Sequence, residues 1–204
     1  MIVTPLASKL NLTAHVTFSA GWIGSVAGFL ALSIAGLAGR DPQTVRSMYI
    51  GMETIAWFVI IPFSISSLLT GIVQSLTTQW GLFKHYWIVI KLILTVVATT
   101  LLMLHMQPIS YVASIASERM LEGGELEGLR IQLIADASVA IFVLLVATAL
   151  SIYKPFGRTG FTQNVQLVVV DKKQSLGFYV IVGFILMFIA VVILHLFGMS
   201  LSHH

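Results

Sequence analysis

The chain has 204 residues, of which 57% are hydrophobic and only 9% are charged. So few polar residues cannot cover a water-soluble globule of this size, and the composition therefore predicts a protein that lies in a lipid bilayer. The net charge of +3 is too small for a nucleic-acid-binding surface, so nucleic acid is not expected as a partner. Because the sequence has no cysteine, disulfides, thiolate metal sites and cysteine nucleophiles are excluded.

Proline, glycine and charged residues divide the chain into five apolar stretches, and about 20 apolar residues suffice for a helix to cross the hydrocarbon core. These stretches are residues 9–38, 47–77, 84–106, 131–154 and 176–200. The breaks fall at Gly39 to Pro42, at Gly81 and at Pro108, residues that interrupt or end helices. The sequence thus predicts an all-α, polytopic membrane helix bundle of about five transmembrane helices that forms a single transmembrane domain.

Basic residues are divided unevenly between the two sides of the membrane. Six lie on the side of the N-terminus: Lys9, Lys84, Lys154, Arg158, Lys172 and Lys173. Four lie on the opposite side: Arg40, Arg46, Arg119 and Arg130. Because cytoplasmic loops carry the excess of lysine and arginine, a cytoplasmic N-terminus in the plasma membrane is predicted. The segment from Pro108 to Arg130 is expected to be a loop on the opposite side that holds a short helix along the membrane surface.

Six ionisable side chains lie inside the predicted spans, where each costs several kcal/mol unless it is paired or hydrated. His15 and Lys91 are both about 10 Å from the face on which the N-terminus lies, given the rise of an α-helix. The other four are expected near the opposite face and are Glu53, His105, Asp136 and His195. Mutual pairing is predicted to bring Glu53, His105 and Asp136 into one cluster.

Helical periodicity indicates which side chains point into the bundle. His15 and Trp22 share one face of the first span. A stripe on the third span contains Trp87, Lys91, Ala98 and His105. A stripe on the second span contains Glu53, Trp57, Ser64, Ser67 and Gly71, and Pro62 is expected to kink that helix. Each stripe is predicted to face the interior of the bundle.

Three short segments resemble a group of bacterial membrane proteins. They are His15-x6-Trp22-x-Gly24, Leu68-Leu69-Thr70-Gly71 and Trp87-x3-Lys91. In order and spacing they are similar to the copper resistance protein D family and the HemJ-type protoporphyrinogen oxidases, over roughly the first 155 residues. The resemblance implies a core of four helices and a site built from His15 and Lys91 that is associated with haem and porphyrin chemistry.

Three functions compete at this point. In the first, the chain is a redox membrane protein similar to a b-type cytochrome, and it binds haem between His15, Trp22, Trp87 and Lys91. A haem-dependent membrane oxidoreductase is one protein of this kind. In the second, Glu53, His105, Asp136 and His195 bind copper, zinc or iron ions in a metal permease. In the third, the buried charges only pair, and the chain is an accessory subunit or a structural membrane protein. A homo-oligomer or a larger membrane complex is a further expectation.

Overall fold

The computed structural model describes residues 4–78, 82–83, 85–119 and 126–153. The elements are α1 (Pro5–Ala38), α2 (Pro42–Ile55), a π-helical turn (Ala56–Ile60), α3 (Ile61–Thr77), α4 (Tyr86–Glu118) and α5 (Glu127–Tyr153). Because α2, the π turn and α3 are continuous, these elements make four helices that are long and apolar enough to cross a membrane. The chain is therefore an integral membrane protein with the all-α bundle fold that the sequence predicts. The predicted fifth span, residues 176–200, lies outside the described residues.

Both helices at the N-terminal end of the chain start with a proline behind a capping side chain. Thr4 Oγ1 accepts a hydrogen bond from the amide of Ala7, and Pro5 is the first residue of α1. The Asp41 carboxylate accepts from the amide of Thr44 at 2.9 Å, and Pro42 begins α2. Proline suits these positions because the first turn of a helix has no acceptor for its N–H groups. The Thr44 hydrogen bonds also hold the pKa of the Asp41 carboxyl below its usual value.

The four spans form a closed bundle. Helix α1 packs against α2, α3 and α5, and α4 packs against the same three helices from the other side. The central core contains Trp22, Phe29, Tyr49, Met52, Val112 and Leu133 among other buried side chains. Two histidines and several hydroxyl groups lie among these apolar layers, and the ring of helices determines which of them meet.

The second span contains a π-helical turn just before Pro62. The amide of Ile61 donates to the carbonyl of Ala56, five residues earlier, so this turn holds one more residue than an α-helical turn. The buried face of the span consists of Val45, Tyr49, Met52, Ala56, Ile60, Ser64 and Ser67. The predicted stripe was correct at Ser64 and Ser67 but wrong at Trp57, which is 49% exposed. The extra residue explains the error, because it moves the buried positions before the turn by one.

Helix α4 does not end at Pro108, and the predicted break there is wrong. The helix continues to Glu118 with Pro108 inside it, so the first half of the predicted loop belongs to the third span. Ile109 and Val112 are buried in the central core and hold this extension against the bundle. Apolar packing can keep a proline inside a membrane helix, since neighbouring groups compensate the lost hydrogen bond. As a consequence His105 lies in the middle of α4 rather than near its end.

Candidate functional site

The interface between α1 and α3 is polar over two turns. Asn11 Nδ2 donates to the carbonyl of Thr70 at 3.1 Å, and the hydroxyls of Ser19 and Ser67 are 2.7 Å apart. Asn11, His15 and Ser19 are spaced four residues apart, so all three lie on the face of α1 that meets α3. His15 therefore lies between two contacts of α1 with α3, one made by Asn11 and the other by Ser19.

The hydrogen bonds of His15 determine its tautomer. Its Nδ1 lies 3.1 Å from the carbonyl oxygen of Ser67 and 3.2 Å from the hydroxyl oxygen of Thr70. Because a carbonyl oxygen only accepts, Nδ1 carries the hydrogen and donates it. Nε2 is then the nitrogen with the free lone pair, and it accepts from Lys91 Nζ at 3.2 Å. The imidazole is neutral in this arrangement, with its basic nitrogen directed at a cation.

We call His15 and Lys91 the lysine pair. Their contact confirms that the two residues, predicted at equal depth, meet across the bundle. The pair needs a glycine beside it, because a Cβ atom at Gly71 would lie 3.0 Å from Cε1 of His15. Thr70 and Gly71, both in the Leu68–Gly71 segment, therefore contact His15 from α3. Thr70, Gly71 and Lys91 thus surround the imidazole of His15.

A cavity of about 620 Å³, the large cavity, lies beside the lysine pair. Its walls come from α1, α3, α4 and α5 and include Ser19, Trp22, Ser67, Trp87 and Thr95 besides the pair itself. Trp22 and Trp87 are 4% and 9% exposed, so both indoles belong to the interior of the bundle. The volume lies within the range of about 300–1,000 Å³ that is typical of sites for small molecules and cofactors.

A second histidine forms a pair of opposite charge type. His105 Nδ1 lies 2.6 Å from the carbonyl oxygen of Leu101, so this nitrogen carries a hydrogen. His105 Nε2 lies 3.3 Å from Asp136 Oδ2. A neutral imidazole would direct its lone pair at the carboxylate, so the contact is favourable only when one further proton lies on either His105 or Asp136. We call these two residues the aspartate pair.

The aspartate pair lines a cavity of its own, the small cavity, with a volume of about 120 Å³. All of its other lining side chains are aliphatic or aromatic, and they come from α1, the π turn, α4 and α5. Trp22 and Leu144 line both cavities, so these two side chains separate them. The large cavity and the small cavity thus each have one histidine in the wall.

Glu53 does not join the aspartate pair. Arg46 donates to the carbonyl of Ser117, and Trp57 Nε1 donates to Ser110 Oγ at 3.4 Å, which sets the register of the second span against α4. Glu53 is then level with Val112, about 10 Å along the helix from His105 at 1.5 Å per residue. The predicted cluster of three assumed that α4 ended before Pro108.

Metal-ligating groups of three or more His, Asp or Glu side chains are absent from the part of the chain that the structure describes. His105 and Asp136 supply two ligands, whereas zinc and copper sites use three or four protein ligands. His195, the fourth predicted ligand, lies outside the described residues. The metal-ion hypothesis therefore stays a prediction that depends on His195.

Arg130, which the sequence predicts to be a loop charge, is buried inside the bundle. This side chain is 6% exposed and donates from Nε to the Tyr49 hydroxyl and from Nη2 to the carbonyl of Gly36, both at 2.7 Å. Gly36 makes room for Tyr49, since a Cβ there would lie 2.9 Å from the phenol ring. Arg130 thus ties α5 to α1 and α2 at the end of the bundle far from Lys91. Its spacing from Leu133 and Ala137, on one helical face, was the available signal.

The fold and its two histidine pairs define a polytopic helix-bundle membrane protein. No family model, curated protein or solved structure matches this chain.

Proposed function

We propose that this chain is a haem-binding membrane protein with a redox role, and that haem binds in the large cavity. The single observation that carries the proposal is the lysine pair at the wall of this cavity, with Trp22 and Trp87 lining it as well. The resemblance of three sequence segments to copper resistance protein D and HemJ-type proteins supports the same proposal.

The residues of the cavity fit the chemistry of a haem. A neutral imidazole is a common axial ligand of haem iron, and His15 has its Nε2 lone pair directed toward the interior. The Ser67 carbonyl fixes the ring through Nδ1, which is the arrangement that orients histidine ligands in metalloproteins. Two indoles supply large apolar surfaces, and the volume of about 620 Å³ is typical of a cofactor site.

Lys91 has two roles in this proposal. Without ligand it donates to His15 Nε2 and so satisfies that lone pair inside the bundle. Its ammonium group is also the cation that a propionate of the porphyrin would pair with, because a buried cation is stabilised by an opposite charge. When bound, the haem iron would supply one-electron redox chemistry. The protein would hold the iron ligand, neutralise the carboxylate and exclude water with its indoles.

The proposal is tested by the absorption spectrum of protein purified in detergent after expression with added haem precursor. The wild-type protein is expected to show a Soret band that His15→Ala loses. His105→Ala is the matched control, because it removes a histidine of the described helices that does not line the large cavity, and it should keep the band. A wild-type protein without a Soret band, or equal loss in both variants, would contradict the proposal.

The same proposal places the protein in the plasma membrane with a cytoplasmic N-terminus. Its support is the excess of basic residues on the side of Lys9 and Lys84. Ser8 lies near the start of α1, and Ser47 lies near the start of α2, beyond the other end of α1. Single cysteines at these two positions should react with an impermeant thiol reagent from opposite sides of the membrane. In intact cells only the Ser47→Cys protein is expected to label, and labelling of Ser8→Cys instead would reverse the orientation.

A further inference from the structure

We propose that the small cavity is a second ligand site, which takes a single ring bearing a carbonyl or hydroxyl oxygen, the quinone and hydroquinone class. The aspartate pair would make the hydrogen bond to that oxygen. This inference is independent of the haem proposal, since it uses a different cavity and a different histidine.

Size is the first argument. The small cavity has a volume of about 120 Å³. An engineered apolar protein cavity of about 150 Å³ takes up benzene, so this one is close to the size of a single six-membered ring. A porphyrin does not fit such a space. The cavity and its large neighbour therefore select different ligands.

Polarity is the second argument. Apart from Trp22 and the aspartate pair, every lining side chain is a hydrocarbon. Such a wall favours an apolar ring, whereas His105 and Asp136 offer polar atoms at one place only. A ligand that matches this pattern has an apolar body with an oxygen at one edge. The aspartate pair would orient the ligand so that this oxygen faces α4 and α5.

The proton of the aspartate pair is the third argument. Nδ1 of His105 donates to Leu101, and Nε2 lies 3.3 Å from Asp136 Oδ2, a contact that is favourable when one further proton lies on either of the two side chains. The pair can therefore donate to the carbonyl of a quinone, and its carboxylate oxygens can accept from the hydroxyl of a hydroquinone. A lone carboxylate or a lone neutral imidazole in this orientation would offer only one of these two functions.

Access is the fourth argument. The side chains of His105 and Asp136 are 14% and 22% exposed, so the pair is not sealed within the described helices. Lipid-soluble rings concentrate in the hydrocarbon that surrounds a membrane bundle. A ring could therefore reach the pair from the bilayer without crossing the large cavity.

The test compares p-benzoquinone with benzene, which has the same six-membered carbon ring but no oxygen. Calorimetric titration of the purified protein in detergent should show that the quinone binds more tightly than the hydrocarbon. Infrared difference spectra should show the carbonyl stretch of the bound quinone shifted to lower frequency, as expected for an accepted hydrogen bond. Asp136→Asn should weaken quinone binding about tenfold and make the infrared shift smaller, since a charge-assisted hydrogen bond is replaced by one from a neutral amide.

Glu53→Gln is the matched control, because it changes another carboxylate inside a span and Glu53 does not line the small cavity. This substitution should leave quinone binding unchanged. Ala140→Leu places a larger side chain in the cavity wall and should abolish binding of both rings, and it also tests the site if Asp136→Asn fails to fold. Equal affinity for benzene and p-benzoquinone, no binding of either, or equal weakening by Glu53→Gln would each overturn the inference. Because the readout involves no haem, these results are separate from the Soret test.

Discussion

The two histidine pairs of this bundle have the same tautomer but opposite partners. In both, Nδ1 faces a backbone carbonyl, Ser67 for His15 and Leu101 for His105, so Nε2 is the nitrogen that faces the interior. For His15 the partner is an ammonium group, which donates and keeps the imidazole neutral. For His105 it is a carboxylate, which favours an additional proton. The same ring orientation therefore places Nε2 beside a hydrogen-bond donor in the lysine pair and beside an acceptor in the aspartate pair.

Reversing the charge of the lysine pair should have the largest effect. Lys91→Glu would give His15 a carboxylate partner like that of His105, so the imidazole would take up a proton and lose its free lone pair. It would also place a negative charge where a porphyrin propionate is proposed to bind. Haem retention should fall at least about a hundredfold, because an unpaired buried charge costs about 3–5 kcal/mol. Titrating apo-protein with haem measures this, and Lys91→Arg is the control that keeps the charge. An unchanged Soret band in Lys91→Glu would show that Lys91 does not contact the ligand.

The second prediction concerns the stability of the two pairs without ligand. Asp136→Asn removes the carboxylate that contacts His105 Nε2 and should lower the free energy of unfolding by about 2 kcal/mol, as for a lost hydrogen bond to a charged group. Lys91→Met removes a cation whose partner among the described residues is the His15 imidazole, and it should leave stability unchanged or raise it, since apolar replacement of a buried ion is often favourable. Thermal unfolding of both variants in one detergent measures the difference. A larger loss in Lys91→Met than in Asp136→Asn would mean that the two pairs do not differ in this way.

The third prediction uses two glycines on facing helices. A Cβ at Gly71 would lie 3.0 Å from His15 Cε1, whereas a Cβ at Gly24 has no atom within 4 Å. Gly71→Ala should therefore destabilise the protein by about 1 kcal/mol and displace His15, as small overpacking does. Gly24→Ala should be neutral or slightly stabilising, because alanine has the higher helix propensity. Unfolding curves measure the energies, and equal effects of the two substitutions would indicate that the contact at His15 is not tight.

The smallest expected effect is the coupling between the pairs. His15→Gln and Asp136→Asn act on residues that share no hydrogen-bond partner, so their effects on the free energy of unfolding should add to within about 0.5 kcal/mol. Trp22 lines both cavities and is the route through which coupling would arise. A deviation from additivity above this value that disappears in a Trp22→Phe background would show that the indole links the two cavities.

Much of the lysine pair could be predicted from the sequence. Spans of hydrocarbon length and the rise of an α-helix place His15 and Lys91 at equal depth, and the helical period puts Trp22 on the face of His15. The structure confirms that the pair meets, at 3.2 Å. These features depend on regular α-helix alone, and α1 and the first half of α4 are regular.

The surroundings of the aspartate pair were harder to predict because they depend on departures from regular helix. Pro108 indicates a helix end in most contexts, but packing of Ile109 and Val112 extends α4 through it. The π turn moves the buried face by one residue, so Trp57 is exposed although its spacing from Ser64 predicts burial. Arg130 lies beyond the predicted loop and is buried by contacts to α1 and α2 that are distant in sequence. Neither kind of information is contained in a local pattern.

The π turn at Ala56–Ile60 also sets the rotation of α3 about its own axis. Each residue of an α-helix turns the chain by about 100°, since one turn takes 3.6 residues. If the same residues formed regular α-helix instead, the extra residue would no longer be absorbed, and everything after the turn would be rotated by about that angle, while the sequence and hydropathy of the span would be unchanged. Ser67, Thr70 and Gly71 would then turn away from α1, and His15 would lose the carbonyl that fixes its tautomer. The hydrogen bond that orients the His15 ring thus depends on one extra residue about two turns before Ser67.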